Sequence, residues 1–422
     1  MVARPQRVLQ FGGANVELMM GLKIVCSGSL IRYPVGGFTW HHLQYLLGFH
    51  QLGHHVTYFE DFGWRQSCYD LERDVMTADP SYGIAYLLRL LRPYGLEDRW
   101  CYLAEDGSSH GLSRERLTRL CRECDLYVNL SNVNWIPELE DCHRRVLVDT
   151  DPVFTQVGAL GMDVPLTTYQ TLFTYGANVH NSGCDMPTAG AHWVPTRQPI
   201  VLDLWPVQPG EPSGPFTTVA NWAAVPDFRH GDKLYGQKDR EFEPYFTLPR
   251  DTGQPMEIAV SCEPKVCDPN TVLPRLATGG WRLADTYSIS RDPWTFQRYV
   301  VASRAEFSVA KHGYVVTRSG WFSDRSATYL ASGRPVVLQD TGFSDWLPTG
   351  VGVIAFRTRD EAVGGIEAVN SRYEFHCRAA REIAEEYFDA RKVLSRLIDQ
   401  AMNAAPIADA GSPRPLPGLE GE

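Results

Sequence analysis

The distribution of apolar and polar positions predicts strands that alternate with helices along most of the chain. The first apolar run, Leu22–Leu30, is short and contains β-branched residues, and it ends among Gly and Ser, which predicts a buried strand. A loop with the glycine pair Gly36–Gly37 comes next, followed by a helix pattern over Thr39–Gln51 and a second strand at His54–Asp61. A strand, a glycine loop, a helix and a strand within about forty residues predict a βαβ unit.

The alternation runs in two series, which are separated by a stretch rich in Pro and Gly at 199–215. Parallel strands need long crossover connections, usually helices, so the two series predict two parallel-sheet domains. Further strands are predicted at Asp125–Ser131, Arg144–Asp151, Leu172–Asn178, Phe216–Trp222, Met256–Cys262, Ala305–Lys311, Arg334–Asp340 and Gly350–Phe356. Further helices are predicted at Pro80–Leu91, Ser113–Arg122, Pro293–Ser303, Asp324–Ala331, Glu361–Val369 and Glu374–Met402.

These patterns divide the chain into six parts. We expect a disordered extension at 1–20, a first domain at 21–198, a linker at 199–215, a second domain at 216–373, a terminal helix at 374–403 and a disordered tail at 404–422. The terminal helix is expected to pack back on the first domain.

Composition narrows the class of protein. The 422 residues are 44% apolar and 21% charged, as in ordinary globular proteins, and the net charge is −10. An acidic chain lacks the basic surface of a general nucleic-acid binder, so we expect no nucleic-acid partner. No run of about 18 apolar residues and no secretory signal is found, so we expect no integral membrane segment and a cytoplasmic location. Cys121 and Cys124 form a lone CxxC, so no metal site is expected.

One stretch, Lys311–Phe343, concentrates candidate ligand-binding side chains between two predicted strands. Ligands of open α/β sheets bind at the carboxyl ends of strands, and a helix start offers free N–H groups that suit a phosphate. Ser323 or Asp324 would cap the helix and Arg325 would add a forked donor, although a capped, solvated first turn is the alternative. The candidate donor-binding residues are Lys311, His312, Arg318, Gly320, Ser323, Asp324, Arg325, Ser326, Thr341, Gly342 and Phe343.

Several short motifs carry a family resemblance. A helix followed by Ala-Ser-Gly-Arg-Pro-Val-Val at 331–337, then Asp-Thr-Gly-Phe at 340–343 and Leu-Pro-Thr-Gly-Val-Gly at 347–352, resembles the donor half of GT-B glycosyltransferases. The helix pattern Arg378–Leu394 is similar to their terminal helix, and Leu-Gly-His-His-Val at 52–56 is similar to part of their first βαβ unit. The motifs are specific between 311 and 356, and longer pieces resemble a bacterial glycosyltransferase-like group.

The resemblance implies an α/β chain with two Rossmann-like domains that face each other across a cleft. It implies transfer of a sugar from a nucleotide-diphosphate donor to a small-molecule or glycan acceptor, with the nucleotide sugar as co-substrate and no other cofactor. No metal is needed if Lys and Arg neutralise the leaving diphosphate. Many retaining members carry two glutamates around the donor helix, but Gly320 and Thr328 stand at the matching positions here. Neither inversion nor retention follows from the sequence.

The glycine loop and the helix after it supply candidates for the acceptor side. Gly36 and Gly37 permit close approach of the backbone to donor phosphates or acceptor, and a tight turn is the alternative; Trp40 follows them. His41 and His42 are candidate bases, because a histidine near its ordinary pKa suits proton abstraction. Neighbouring helix residues diverge by about 100°, so at most one of the two faces the cleft.

The acidic end of a predicted strand supplies the other candidate bases. Asp149 and Asp151 lie at the strand edge that faces the cleft in this fold class, where a carboxylate can act as a base or bind acceptor hydroxyls. The alternative is an aspartate that caps the turn at Pro152. Of the four candidates, Asp151 is the preferred base.

Two other functions remain open on the sequence. One is a nucleotide-sugar epimerase of the same fold, and the other is a non-catalytic sugar-binding protein. A nicotinamide dehydrogenase is not favoured, because Gly28, Gly36 and Gly37 do not fit the GxGxxG spacing.

Overall fold

The computed structural model describes residues 21–160, 166–208, 213–263 and 265–404. The predicted extension at 1–20 and all of the predicted tail except Ala404 therefore lie outside the described residues, as do positions 209–212 of the predicted linker.

The first half of the chain forms an eight-stranded sheet with helices on both faces. Its strands, in chain order and with one separate antiparallel pair (β3 and β4), are β1 (Lys23–Ser27), β2 (His55–Asp61), β3 (Cys68–Asp70), β4 (Val75–Thr77), β5 (Trp100–Leu103), β6 (Ser109–Gly111), β7 (Leu126–Leu130), β8 (Arg145–Asp149), β9 (Thr171–Thr174) and β10 (Trp193–Pro195). Its helices are α1 (Gly36–Gln51), α2 (Ser81–Leu91), α3 (Arg114–Glu123) and α4 (Phe154–Leu160).

The order of this sheet is β10-β9-β8-β7-β1-β2-β5-β6, and all pairs are parallel except β5 with β6. In β1 the consecutive residues Ile24, Val25 and Cys26 are all buried, although they point alternately to the two faces. Burial on both faces is what a parallel sheet covered by crossover helices requires.

The second half forms a six-stranded parallel sheet in the order β15-β14-β11-β16-β17-β18. Its strands and one hairpin (β12 and β13) are β11 (Phe216–Asn221), β12 (Phe228–His230), β13 (Lys233–Tyr235), β14 (Met256–Ser261), β15 (Arg282–Leu283), β16 (Ala305–Ser308), β17 (Val336–Gln339) and β18 (Val353–Phe356). Its helices, with the terminal pair, are α5 (Asp239–Phe242), α6 (Leu248–Thr252), α7 (Pro269–Gly279), α8 (Thr286–Ser290), α9 (Pro293–Ala302), α10 (His312–Thr317), α11 (Asp324–Ala331), α12 (Arg359–Ser371), α13 (Tyr373–Tyr387) and α14 (Ala390–Asn403).

The glycine pair lies inside α1 and not in a loop, which corrects the prediction that the helix begins at Thr39. A Cβ atom placed on Gly36 would lie 2.5 Å from the carbonyl oxygen of Asp292, and one on Gly37 would lie 3.0 Å from the Phe296 ring. Both contacts belong to the second half, at the start of α9. The glycines therefore let the first turn of α1 approach α9 closely.

The terminal helix is divided in two, which corrects the prediction of one continuous helix. The Asp389 side chain accepts a hydrogen bond from the Arg391 N–H and so caps α14 after a break at Phe388. Helix α13 packs on α11 of the second half, and α14 packs on α1 of the first half. A Cβ atom on Gly48 of α1 would lie 2.4 Å from Leu394 Cδ1, so this contact is close. The terminal pair thus joins the two halves.

Candidate functional site

Two cavities lie where the carboxyl ends of strands and the starts of α1 and α11 meet. The first, which we call the cross-half cavity, has α1 on one side and α11 on the other. It is lined by Gly37, Trp40, His41, Gln44, Tyr175, Gln198, Pro199, Ile200, Phe296, Asp324, Arg325 and Thr328. The second, the inner cavity, lies within the second half at the ends of β16 and β17. It is lined by Ser308, Val309, Ala310, Trp321, Phe322, Ser323, Ser326, Leu338, Gln339, Thr341 and Phe343.

One face of α1 forms a wall of the cross-half cavity. Trp40 and His41 lie three and four residues after Gly37, and Gln44 lies four and three residues after them, a spacing that places all four on one side of a helix. Trp40 donates a hydrogen bond of 2.7 Å from Nε1 to the carbonyl oxygen of Pro293 and so ties this face to the second half. The wall is therefore fixed against the start of α9.

The two histidines of α1 have different surroundings. His41 Nδ1 lies 3.9 Å from a carboxylate oxygen of Asp324, while His41 Nε2 is buried and has no hydrogen-bond partner among the described residues. Burial lowers the pKa of His41 to about 4, so the ring is neutral at pH 7. His42 accepts a hydrogen bond at Nε2 from the Ser29 N–H, and its Nδ1 lies 3.1 Å from the Phe38 carbonyl oxygen. Of the two, His41 faces the cavity and His42 is held in the core.

The acidic end of β8 is fully paired. Asp149 is buried and accepts hydrogen bonds from Gln156 Nε2 at 2.7 Å and from Thr174 Oγ1 at 2.6 Å. Burial raises the pKa of Asp149 to about 6. Asp151 lies 2.7 and 3.0 Å from Lys311 Nζ and accepts a further hydrogen bond from the Tyr314 hydroxyl. Asp151 therefore joins the first half to the second.

The start of α11 combines a free hydroxyl with a tightly held arginine. Ser326 is fully buried and lines the inner cavity, and its Oγ has no partner among the described residues. Arg325 donates from Nε to Glu306 at 2.6 Å, from Nη1 to the Val219 carbonyl at 2.6 Å and from Nη2 to Ser308 Oγ at 2.8 Å. Arg325 thus links α11 to the ends of β11 and β16.

Lys238, which no sequence pattern singled out, lies beside this group. It follows the β12–β13 hairpin, is 8% exposed, and donates a hydrogen bond of 2.6 Å from Nζ to the Val309 carbonyl. Burial, together with the nearby charges of Arg325 and Lys311, lowers the pKa of Lys238 to about 7. Only the tertiary structure brings this lysine to the ends of β11 and β16, so the local sequence carries no signal for it.

Part of the predicted donor set lies at a junction between the halves. Asn178 of the first half donates from Nδ2 to the carbonyl oxygens of Arg318 and Gly342, at 3.1 and 2.9 Å. Gly320 and Gly342 both have positive φ, and a Cβ atom on either would lie 2.7 Å from an Asn178 side-chain atom. Arg318 also pairs with Asp345 at 3.1 Å. Arg318, Gly320 and Gly342 of the second half therefore contact Asn178 of the first half and help to hold the two halves together.

The rest of the predicted donor set divides by location. Ser323, Ser326, Thr341 and Phe343 line the inner cavity, whereas Asp324 and Arg325 line the cross-half cavity. His312 lies outside both, with Nδ1 2.5 Å from Glu241 Oε1, and Lys311 is paired with Asp151.

Within the part of the chain that the structure describes, no group of three or more His, Cys, Asp or Glu side chains is arranged to hold a metal ion. No helix there is long and apolar enough to cross a bilayer.

Solved structures of glycosyltransferases share this architecture over nearly the full length. An alpha-glucosyltransferase in complex with UDP and a 13-mer DNA containing an HMU base aligns with a TM-score of 0.55 at 11% identity, over 90% of this chain and 99% of that chain. HepE of Anabaena in complex with UDP and glucose aligns with a TM-score of 0.52 at 12% identity, over 90% and 99% of the two chains. No protein-family model matches the chain, and no curated protein matches it in sequence.

The chain therefore has the GT-B fold, with two Rossmann-like sheets facing each other across a cleft, and the predicted fold class is confirmed. The prediction that the protein has no nucleic-acid partner, however, is wrong. The alpha-glucosyltransferase that shares the fold was solved with DNA. Net charge is an average over the whole chain, whereas an acceptor contacts a few loops at one edge of the cleft.

Proposed function

We propose that the protein is a glycosyltransferase that moves a sugar from a nucleoside-diphosphate donor to a hydroxyl-bearing acceptor. The observation that carries the proposal is the start of α11, where the buried Ser326 Oγ faces a cavity and has no hydrogen-bond partner among the residues that the structure describes. The N-terminus of a helix attracts anions, because its free N–H groups point along the axis. A phosphate oxygen would supply the acceptor that Ser326 lacks.

The charges around α11 support binding of a diphosphate. Lys238 and Arg325 both lie at the ends of β11 and β16, and Lys311 is close enough to lower the pKa of Lys238. Arg325 is neutralised in part by Glu306, whereas Lys238 Nζ donates its hydrogen bond to the uncharged carbonyl oxygen of Val309. Lys311 and Arg325 each have a carboxylate partner, so protonated Lys238 is the group that would stabilise the diphosphate as it leaves.

The transfer itself would take place in the cross-half cavity. The acceptor oxygen forms a bond to the anomeric carbon, the bond from that carbon to the diphosphate oxygen breaks, and the acceptor proton passes to His41 Nε2. Burial lowers the pKa of His41 to about 4, which opposes its role as a base, and the Asp324 carboxylate 3.9 Å from Nδ1 would have to stabilise the proton that His41 takes up. We prefer His41 to Asp151 as the base, since both oxygens of Asp151 already have partners in the second half.

The acceptor class is left to experiment. The acceptors to be tested include both glycosides and DNA, because a protein with this fold has been solved with DNA. An epimerase would isomerise the nucleotide sugar without releasing the nucleotide, and a binding protein would do neither.

Calorimetry with UDP, dTDP and GDP tests the donor site. We expect Lys238→Met to weaken binding of the preferred nucleotide by about 10- to 100-fold, the range for hydrogen bonds to a charged group. The matched control is Lys233→Met, which removes an exposed lysine from the adjacent hairpin. No binding of any nucleotide by the unsubstituted protein would refute the proposal. Release of UDP from labelled UDP-glucose, with water, methyl glucosides and the HMU-containing DNA as acceptors, then tests transfer.

A further inference from the structure

The cross-half cavity holds a second unpaired polar atom, one helical turn from His41. Gln44 is 2% exposed, and its Oε1 accepts a hydrogen bond of 2.7 Å from the Val201 N–H. That contact assigns the oxygen to the Val201 side of the amide, and the NH₂ group to the other side. Gln44 Nε2 is buried and, like His41 Nε2, has no partner among the described residues.

Two buried polar atoms without partners in one small cavity are unusual, because each costs free energy that folding does not recover. Both residues line the same cavity from the same face of α1, three residues apart. A group bound between these two atoms could therefore satisfy both of them.

The two atoms have complementary hydrogen-bonding roles. The amide NH₂ of Gln44 can only donate. The Asp324 carboxylate on the Nδ1 side of His41 favours the tautomer with its hydrogen on Nδ1, which leaves Nε2 as an acceptor. A hydroxyl group accepts one hydrogen bond and donates another, so a single hydroxyl between the two satisfies both.

We propose that Gln44 and His41 together bind the reacting hydroxyl of the acceptor, with Gln44 donating to its oxygen and His41 accepting its hydrogen. This inference rests on the proposed function. Gln44 is then a binding residue that orients the oxygen, and the segment carrying Val201, which joins the two halves, orients Gln44. The flanking rings of Trp40 and Phe296 supply an apolar wall for the carbon skeleton of the acceptor.

Gln44→Glu is the informative variant. It keeps an oxygen for the Val201 N–H and replaces the donor group by an acceptor, so it reverses one contact only. The matched control is Gln51→Glu, which makes the same change at the exposed end of the same helix. The probes are UDP-glucose as donor, and water and the best of the tested acceptors as hydroxyl sources. A buried carboxylate can impair folding, so Gln44→Met is tested beside Gln44→Glu. Thermal unfolding of every variant shows which of them are folded.

We expect Gln44→Glu and Gln44→Met each to reduce kcat/KM for the acceptor at least tenfold, and to slow UDP-glucose hydrolysis, while KM for UDP-glucose changes less than twofold. If the Gln44 variants are folded and have the same kcat/KM for the acceptor as Gln51→Glu, the inference is wrong and the proposed function stands. If KM for UDP-glucose rises while the acceptor KM does not, Gln44 contacts the transferred sugar and the assignment is overturned. If the unsubstituted protein binds no nucleotide and consumes no nucleotide sugar, the proposed function fails, and the inference fails with it.

Discussion

Two sets of polar side chains in the first half face the second half, and they differ in what they leave unpaired. At the end of β8, Asp149 is enclosed by hydrogen bonds and Asp151 is paired with Lys311 and Tyr314. On α1, His41 and Gln44 each have one buried atom with no hydrogen-bond partner in the described part of the chain. Both sets consist of residue types that can carry out acid–base or hydroxyl-binding chemistry, so residue type alone does not separate them.

The difference indicates which set a ligand would complete. A buried polar atom without a partner costs about 1–3 kcal/mol, and a bound ligand that supplies the partner offsets that cost. A carboxylate that is already paired gains nothing comparable, and it must break existing contacts before it can act. This difference supports the proposal that the α1 face binds a ligand and that the acidic end of β8 has a structural role.

The largest expected effect is on turnover and tests this contrast directly. A general base contributes roughly 100- to 10,000-fold, so His41→Ala should reduce kcat by at least 100-fold. Asp151→Asn keeps the size of the side chain and weakens only the contact with Lys311, so its kcat should stay within about tenfold of the original. The measurement is steady-state release of UDP from UDP-glucose with saturating acceptor.

Nucleotide affinity is the control for that experiment, because neither residue lines the inner cavity. Calorimetry should give unchanged UDP binding for both variants. If instead Asp151→Asn lowers kcat 100-fold and His41→Ala lowers it less than tenfold, the comparison is reversed and Asp151 is the better candidate for the base.

The second effect is on stability and concerns a paired group in the second half. Arg325→Met leaves Glu306 fully buried without its cation, and loss of one member of a buried ion pair costs about 3–5 kcal/mol. Urea denaturation should show that loss as a lower midpoint with an unchanged slope.

The double variant Arg325→Met with Glu306→Leu serves as its control. Replacement of both charges by apolar groups removes the unpaired carboxylate, so most of the lost stability should return. A double variant that is no more stable than Arg325→Met would show that Arg325 acts through its contact with the Val219 carbonyl and not through Glu306.

The sequence predicted the elements that depend on local pattern. Helix α11 spans Asp324–Ala331 as predicted, although the Ser323 side chain at its N-cap makes no capping hydrogen bond, and β16 falls within the strand expected at Ala305–Lys311. The short strand β10 was missed, since three residues carry no periodicity that separates them from a loop. The break at Phe388 had a local signal, because an aspartate before Ala-Arg-Lys is a typical helix start.

The site was harder to predict, because its chemistry depends on contacts between distant positions. Gln44 and Val201 are 157 residues apart in sequence, and no pattern around Gln44 indicates that one end of its amide is satisfied and the other is not. Likewise, residue type made Asp151 a strong candidate, but the lysine and tyrosine that pair with it lie 160 and 163 residues away. Local sequence identifies which groups are capable of the chemistry, and only the fold shows which of them are free.

The third effect is a pH dependence of stability that belongs to the paired set. Burial raises the pKa of Asp149 from its usual 3.8 to about 6, which corresponds to about 3 kcal/mol. Between these values the folded protein holds the proton and the unfolded chain has released it, so stability falls as pH rises from about 4 to about 6. Asp149→Asn should remove this slope, as measured by urea denaturation at pH 4, 5, 6 and 7. An unchanged slope would show that another group titrates in this range.

The smallest effect concerns the close approach that places the α1 face opposite α11. In Gly36→Ala the new methyl group would lie 2.5 Å from the Asp292 carbonyl oxygen, which is backbone and cannot rotate away, so α1 must shift. Overpacking of this kind costs about 1–3 kcal/mol, which thermal unfolding should detect. Gly364→Ala is the matched control, because a Cβ atom there meets nothing within 4 Å and alanine favours the helix. If the α1 face is a ligand site, Gly36→Ala should also raise KM for the acceptor more than KM for UDP-glucose. An equal rise in the two KM values would indicate that the whole cleft has shifted. The result would then no longer distinguish the α1 face from the acidic end of β8 as the acceptor site.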